Sequence, residues 1–150
     1  MHIEEIFENR DRFMGLLLLA DPSPTMVRVY LERGYLFALY EQDKPYGVIH
    51  LDPYNSEVIE IKNIAVQEES QGRGYGKRLI QYTIERCRHD GYKKIVVGTG
   101  NSSIGNLAFY QKLGFRFVSI VRDFFTDHYD QPIIEDGIQC RDMVVLEMDL

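Results

Sequence analysis

The sequence predicts an α/β fold in which a mixed β-sheet carries helices on both faces. Short runs rich in β-branched and apolar residues, such as residues 58–66 (VIEIKNIAV), indicate strands that are buried on at least one face. Between such runs, apolar residues recur at three- and four-residue steps, as at Leu79, Ile80 and Cys87. This period is typical of a helix with one buried stripe. The order along the chain is two helices, three strands, a helix, a strand, a helix and two strands.

The predicted elements begin and end at residues that suit their limits. Ser23 or Thr25 suits the N-cap of the second helix, and Gly91 and Gly114 follow the last two helices. The polar turn 41–45 favours an antiparallel connection. Residues 2–7 fit both a strand and a helical period. The predicted helices cover residues 9–20, 23–33, 75–90 and 104–113, and the predicted strands cover residues 35–40, 46–51, 57–67, 93–98, 115–121 and 142–148.

Composition predicts a single soluble domain over residues 1–150. Hydrophobic content of 45% and charged content of 27% are ordinary for a globular protein, and 150 residues suffice to bury a large core. No segment approaches the roughly 20 apolar residues of a membrane span. The N-terminus carries Glu4 and Glu5, where a signal peptide would be basic. The net charge of −6 argues against nucleic acid as the main partner, because a phosphate backbone requires a basic face.

The cysteines and histidines predict neither a disulfide nor a metal site. Cys87 and Cys140 lie far apart and without ligand spacing, so we expect free thiols in a reducing compartment and a cytoplasmic protein. The four histidines share no spacing and no common element, and no metal is implied.

A glycine-rich turn between the third predicted strand and the following helix indicates an anion-binding site. Residues 71–77 (QGRGYGK) place three glycines at a helix N-terminus, where unpaired backbone N–H groups and the helix dipole favour a phosphate group. Arg73, Lys77 and Arg78 add positive charge at the same place. A Walker A loop would need glycine at Gln71 and Ser or Thr at Arg78. The glycines are also too closely spaced for the dinucleotide-binding fingerprint.

The pattern Q-x-x-G-x-G at residues 71–76 resembles the acetyl-CoA pyrophosphate motif of the GCN5-related N-acetyltransferase (GNAT) family. A second block is similar as well: Asn101 follows the next strand, residues 106–110 (NLAFY) fall on the next helix, and residues 112–115 (KLGF) return the chain to a strand. The matches together cover residues 58–121. The resemblance implies a mostly antiparallel sheet with splayed central parallel strands, and acetyl-CoA as the cosubstrate. Without the second block, an ordinary tight strand–helix connection would explain the glycines equally well.

The resemblance assigns the cosubstrate to three parts of the chain. The pantetheine arm would pair with the backbone of the strand before the turn, the pyrophosphate would lie on the turn, and polar side chains of the second block would complete the site. The implied cofactor-binding residues are Ile64, Ala65, Val66, Gln71, Gly72, Arg73, Gly74, Tyr75, Gly76, Lys77, Asn101, Asn106 and Tyr110. Helix capping is the structural alternative for the two asparagines.

Two residues are candidates for the proton transfers that acetylation of an amine requires. Glu60 lies eleven residues before Gln71, the spacing at which some family members place a general base. The alternatives are a solvated Glu60–Lys62 neighbour pair, and a water chain as the base. Tyr110 matches the family tyrosine that protonates the departing thiolate, and its alternative is a tyrosine packed on the apolar stripe of its helix.

Residues 122–139 show no clear secondary structure, and a stretch of this length is longer than an ordinary connection. The stretch is aromatic and acidic, so it would give a cationic acceptor both apolar walls and a negative field. The candidate substrate residues are Phe124, Phe125, Asp127, His128, Tyr129 and Asp130. A solvated surface excursion is the alternative.

By this resemblance, the sequence predicts an acetyl-CoA-dependent N-acetyltransferase that acts by direct transfer to a primary amine, without an acyl-enzyme. We expect a small, cationic acceptor. The alternatives are acetylation of protein or peptide amines, a non-catalytic acyl-CoA sensor on the same fold, and an interaction protein whose glycine turn is only structural. A homodimer is left open.

Overall fold

The computed structural model describes all 150 residues and contains two compact units. The first unit comprises residues 1–93 and Leu150, and the second comprises residues 94–149. The prediction of one domain over residues 1–150 concerns both units together and stays a prediction. None of the helices is long and apolar enough to cross a membrane. No group of three or more His, Cys, Asp or Glu side chains is placed to hold a metal ion.

The first unit is an antiparallel sheet packed with helices. Its strands are β1 (His2–Glu5), β2 (Tyr35–Glu41), β3 (Lys44–Pro53) and β4 (Val58–Val66), hydrogen-bonded in that order. Its helices are α1 (Met14–Ala20), α2 (Pro24–Tyr30) and α3 (Tyr75–His89), with 3₁₀ turns at Arg10–Phe13 and Glu68–Ser70. The helix predicted over residues 9–20 is therefore a 3₁₀ turn followed by a short α-helix, and the ambiguous residues 2–7 contain a strand.

Alternation along β2 assigns the two faces of this sheet. Leu36 and Ala38 join Leu17 of α1 in a buried core on one face. Phe37, the residue between them, points to the other face and meets the ring of Tyr82 on α3 at 5.1 Å between centroids. Helices therefore cover both faces of the sheet in this unit.

The limits of the helices have local causes that the sequence indicated. The Ser23 hydroxyl accepts a hydrogen bond from the Met26 backbone N–H at 3.2 Å and so caps α2. Gly91, with a φ of 88°, follows α3, and the next N–H, that of Tyr92, reaches back to the Cys87 carbonyl at 3.0 Å. The buried stripe of α3 includes Leu79, Ile80, Thr83 and Cys87.

The second unit is built on three strands and a separate hairpin. Its strands are β5 (Lys94–Gly100), β6 (Arg116–Val121), β7 (Ile134–Glu135), β8 (Ile138–Gln139) and β9 (Met143–Asp149). In this unit β9 lies between β5 and β6 and is antiparallel to both, and β7 pairs with β8 alone. Its helices are α4 (Ile104–Lys112) and α5 (Phe124–His128). The expectation that residues 122–139 lack secondary structure was therefore wrong, because this stretch contains α5 and the β7–β8 hairpin.

Candidate functional site

The predicted anion site is an open turn at the N-terminus of α3. Gly72 and Gly74 have φ angles of 81° and 82°, which L-residues rarely adopt, and Gly74 is the N-cap of the helix. A Cβ atom added at either glycine would meet no atom within 4 Å, so the surface of the turn is unobstructed. The first N–H groups of a helix have no intrahelical partner, and α3 is 15 residues long. The turn therefore presents N–H donors and a positive dipole end to an anion.

The side chains of the turn divide into those that fasten it and those that stay exposed. Gln71 donates through Nε2 to the Val66 carbonyl at 3.2 Å, which ties the turn to the end of β4. The Tyr75 hydroxyl donates to Glu41 Oε1 at 2.8 Å, and Tyr75 is buried. Tyr75 therefore anchors the first turn of α3 to β2. Arg73 is exposed and interacts with the Tyr75 hydroxyl, so part of its guanidinium remains available to an anion.

A β-bulge in β4 lies between Glu60, the predicted general base, and residues 64–66, the predicted partners of the pantetheine arm. Ile64 of β4 is opposite Ile49 of β3, whereas Glu60 is opposite Asp52, because the register shifts after His50. Ile49 and Asp52 are three residues apart and point to opposite faces of β3, and cross-strand partners share a face. Glu60 and Ile64 therefore lie on opposite faces of β4, although strict alternation would place them on one face.

Glu60 lies beside a cation. Its Oε1 is 3.2 Å from Lys62 Nζ, and the side chains of Glu60 and Lys62 are 27% and 31% exposed. The neighbour pair that the sequence allowed is therefore present. Partial exposure leaves the carboxylate reachable by water, which suits either direct proton transfer or a water chain. The catalytic role of Glu60 stays a prediction.

Tyr110 is buried on α4, with 4% of its surface exposed. Its ring contacts those of Phe109 and Phe115 at 5.2 and 5.5 Å between centroids. Burial raises the pKa of Tyr110 above its ordinary value, so the hydroxyl keeps its proton at neutral pH. Packing and acid catalysis are compatible here, because the packed ring holds in place a hydroxyl that carries a proton. The role of Tyr110 as the acid stays a prediction.

The side-chain amide of Asn101 forms hydrogen bonds with the protein backbone. Its Oδ1 accepts the backbone N–H groups of Arg141 and Asp142 at 2.8 and 3.0 Å, and its Nδ2 donates to the Gln139 carbonyl at 3.1 Å. These bonds fasten the chain before β9 to the end of β5. Asn101 is therefore a residue that sets the geometry of the strand end.

Asn106 keeps more of its amide free for a ligand. It is exposed, and its Nδ2 lies 3.5 Å from Thr99 Oγ1, which is long for a hydrogen bond. The N-cap of α4 is Ser103, and no side chain caps this helix. The capping alternative for Asn101 and Asn106 is therefore wrong, and their contact with a cofactor stays a prediction.

The segment 122–139 borders a cleft of about 190 Å³. Of the predicted substrate residues, Phe125, Tyr129 and Asp130 line this cleft. Phe124 and His128 instead stack on each other at 4.4 Å between ring centroids, and His128 Nδ1 donates to the Phe124 carbonyl at 2.7 Å. Asp127 does not line the cleft. The structure therefore brings together one half of the predicted acceptor residues.

A contact that the sequence did not predict holds this segment in place. The hydroxyls of Ser102 and Ser103 both donate to Glu135 Oε1 at 2.9 Å. Because the partners are more than 30 residues apart, no local pattern indicates this contact. Glu135 therefore fixes the β7–β8 hairpin to the N-terminus of α4.

Comparison with known proteins assigns the family. The model of the acetyltransferase (GNAT) family matches residues 4–115. This chain belongs to the GNAT family. An uncharacterized N-acetyltransferase of Bacillus subtilis (strain 168), YvbK, is 48% identical over 150 residues, which is 100% of this chain and 97% of that protein.

Two solved acetyltransferase structures match this fold over nearly the whole chain. A GNAT family acetyltransferase from Elizabethkingia anophelis with acetyl-CoA bound is 43% identical, with a TM-score of 0.96 over 99% of this chain and 97% of that one. An IAA acetyltransferase from Bacillus cereus is 45% identical, with a TM-score of 0.93 over 99% of both chains. The predicted family and the predicted α/β fold class, with its mostly antiparallel mixed sheet, are confirmed. The chain is a GNAT acetyltransferase.

Proposed function

We propose that this GNAT acetyltransferase transfers the acetyl group of acetyl-CoA directly to the primary amine of a small, cationic acceptor. The observation that carries the proposal is the open glycine turn at residues 71–77, which begins a 15-residue helix and suits a pyrophosphate. Further support comes from the 43% identical Elizabethkingia anophelis relative, which was solved with acetyl-CoA bound.

The proposed cosubstrate site uses the main chain more than side chains. The pyrophosphate oxygens would accept the N–H groups of the turn, and the exposed Arg73 and Lys77 would add positive charge. The pantetheine amides would pair with the backbone of residues 64–66 as an added strand does. Gly72 and Gly74 would leave room for the phosphates, since neither position has an atom within 4 Å of an added Cβ.

The proposed reaction is a single acyl transfer. The protonated amine first gives a proton to Glu60 or to water, because only the neutral amine attacks a thioester. The nitrogen then bonds to the carbonyl carbon, and a backbone N–H near Val66 would stabilise the oxyanion. When the C–S bond breaks, Tyr110 gives its proton to the CoA thiolate. Tyr110 recovers a proton from the nitrogen, which becomes the neutral amide.

The cysteines argue for direct transfer. Cys87 is 1% exposed, and burial raises its pKa to about 12. Cys140 is 5% exposed, and burial raises its pKa as well. An acyl-enzyme would need an accessible thiolate, and both thiols hold their protons at neutral pH. Two free thiols also support our expectation of a reducing, cytoplasmic setting.

A screen of amines for CoA release tests the proposal. The panel contains monoamines, polyamines, amino sugars, amino acids and peptides, and a thiol reagent reports the CoA released from acetyl-CoA. It also contains IAA, because the Bacillus cereus relative is an IAA acetyltransferase. We expect release above background with small cationic amines. Preference for a peptide would favour the protein-amine alternative, and acetyl-CoA binding without release for any acceptor would favour a non-catalytic sensor.

A further inference from the structure

One carboxylate in the second unit is placed differently from its acidic neighbours. We propose that Asp130 binds the ammonium group of the acceptor, in the cleft beside α5, and that this cleft admits a small amine with an apolar body. The inference rests on the proposed function, because it describes the acceptor side of the same reaction.

The cleft is small and has mixed walls. Its volume of about 190 Å³ is below the roughly 300 Å³ at which pockets for drug-sized ligands begin. Phe125 and Tyr129 line it with rings 5.6 Å apart between centroids, and Ile133 adds aliphatic surface. Gln131 and Gln139 supply neutral polar groups. Such walls suit an amine of modest size whose body is partly apolar.

Cys140 and Phe125, which both line the cleft, pack beside Gly100 at the carboxyl end of β5. A Cβ atom added at Gly100 would lie 2.5 Å from Cys140 Sγ and 3.6 Å from the Phe125 ring, so glycine there lets both side chains reach the cleft. Burial keeps the Cys140 thiol neutral by raising its pKa. Cys140 therefore offers no charge to a ligand.

Asp130 is the one acidic or basic side chain among the residues that line the cleft. Glu135 and Asp142 are engaged elsewhere, because Glu135 accepts two serine hydroxyls and Asp142 accepts a backbone N–H at 2.9 Å. Asp136 lies in the turn of the β7–β8 hairpin, with a φ of 52°. Asp130 is exposed, and none of the ion pairs within the protein involves it.

The charge of Asp130 determines which acceptors the cleft favours. A carboxylate attracts an ammonium group and repels a second carboxylate, and both effects grow when the ligand covers the pair and removes water. A small amine without an acidic group is therefore preferred over the amino acid of the same body. A general negative field from all the acidic residues of segment 122–139 would favour the same amines, but it would not depend on Asp130. The experiment therefore tests whether amine binding depends on Asp130 in particular.

The test compares two variants that remove the same charge. Binding of 2-phenylethylamine, and of the neutral 2-phenylethanol, is measured by ligand-observed NMR with wild type, Asp130→Asn and Asp136→Asn. We expect the Kd of the amine to rise about five-fold with Asp130→Asn if the pair stays exposed, and ten-fold or more if it is covered. Asp136→Asn should leave the Kd unchanged, since asparagine also accepts a positive φ. Neither variant should alter the weaker binding of 2-phenylethanol.

Three results would overturn the inference. The first is an unchanged Kd of 2-phenylethylamine in Asp130→Asn, and the second is an equal rise of this Kd in Asp136→Asn. The third is a wild type that does not bind 2-phenylethylamine even at 10-fold the concentration at which it binds 2-phenylethanol. Thermal melts establish that both variants are folded. The measurement needs no acetyl-CoA, so it is independent of turnover. If no amine releases CoA but amine binding still depends on Asp130, the proposed function is wrong and the cleft assignment stands. If an amine releases CoA but its binding is unchanged in Asp130→Asn, the proposed function stands and the cleft assignment is wrong.

Discussion

Replacing Gly74 by Glu should strongly weaken acetyl-CoA binding while the chain stays folded. A side chain at Gly74 meets no atom within 4 Å, so the change costs backbone strain at a φ of 82°, about 1–2 kcal/mol, and no clash. The new carboxylate at the N-terminus of α3 recovers roughly 0.3–1 kcal/mol from the helix dipole. It would also stand where we propose the pyrophosphate. Two unit charges 4 Å apart repel by about 1–4 kcal/mol at effective dielectric constants of 80 to 20, which lowers affinity roughly five-fold to 1,000-fold.

Gly91→Glu is the matched control at the other end of the same helix. Gly91 has a φ of 88°, and a side chain there also meets no atom within 4 Å. Its carboxylate would oppose the dipole at the helix C-terminus, so this variant should melt at a lower temperature than Gly74→Glu. We nevertheless expect Gly91→Glu to bind acetyl-CoA as wild type does. Circular dichroism melts and calorimetric titrations measure both quantities, and wild-type affinity in a folded Gly74→Glu variant would refute the assignment of the turn.

Three further predictions concern single side chains. Tyr110→Phe should lower turnover about 10²–10⁴-fold with unchanged acetyl-CoA affinity, because only the proton for the thiolate is lost; normal turnover would leave Tyr110 as a packing residue. Glu60→Gln should reduce turnover most at low pH, where amine deprotonation is hardest, and a pH–rate profile that overlays the wild type would assign the base to water or another group. Burial lowers the pKa of His50 to about 4. The unfolded chain therefore binds a proton between about pH 6.5 and 4 that the folded chain does not, so wild-type stability should fall by up to about 3 kcal/mol as pH drops through this window. We expect the free energy of unfolding, measured with urea at several pH values, to change less with pH in His50→Gln than in the wild type. An identical pH dependence in the two proteins would contradict this cause.

The sequence predicted the glycine turn, where we propose the pyrophosphate of acetyl-CoA, because its signals are local. Glycine spacing at residues 71–77 and the apolar stripe of α3 both depend on neighbours within a few residues, and both are present in the structure. The ends of α2 and α3 were predictable for the same reason, since Ser23 and Gly91 act on the adjacent turn. Local chemistry therefore determines this part of the fold.

The structure of residues 122–139, where we propose the acceptor, was not predictable, because distant residues hold this segment together. The β7–β8 hairpin depends on Glu135, whose partners Ser102 and Ser103 lie more than 30 residues away. The bulge in β4 is another such case, since it reverses the face of Glu60 relative to Ile64 through pairing with β3. Strand alternation alone cannot place a bulge, so the faces of this strand required the structure.

The most direct test of direct acetyl transfer is the initial rate of CoA release with acetyl-CoA and an accepted amine both varied. Direct transfer predicts that acetyl-CoA alone releases no CoA, and that double-reciprocal plots intersect, because both substrates must be bound before either product leaves. Parallel plots, together with a burst of CoA before amine is added, would require an acyl-enzyme and would contradict the account.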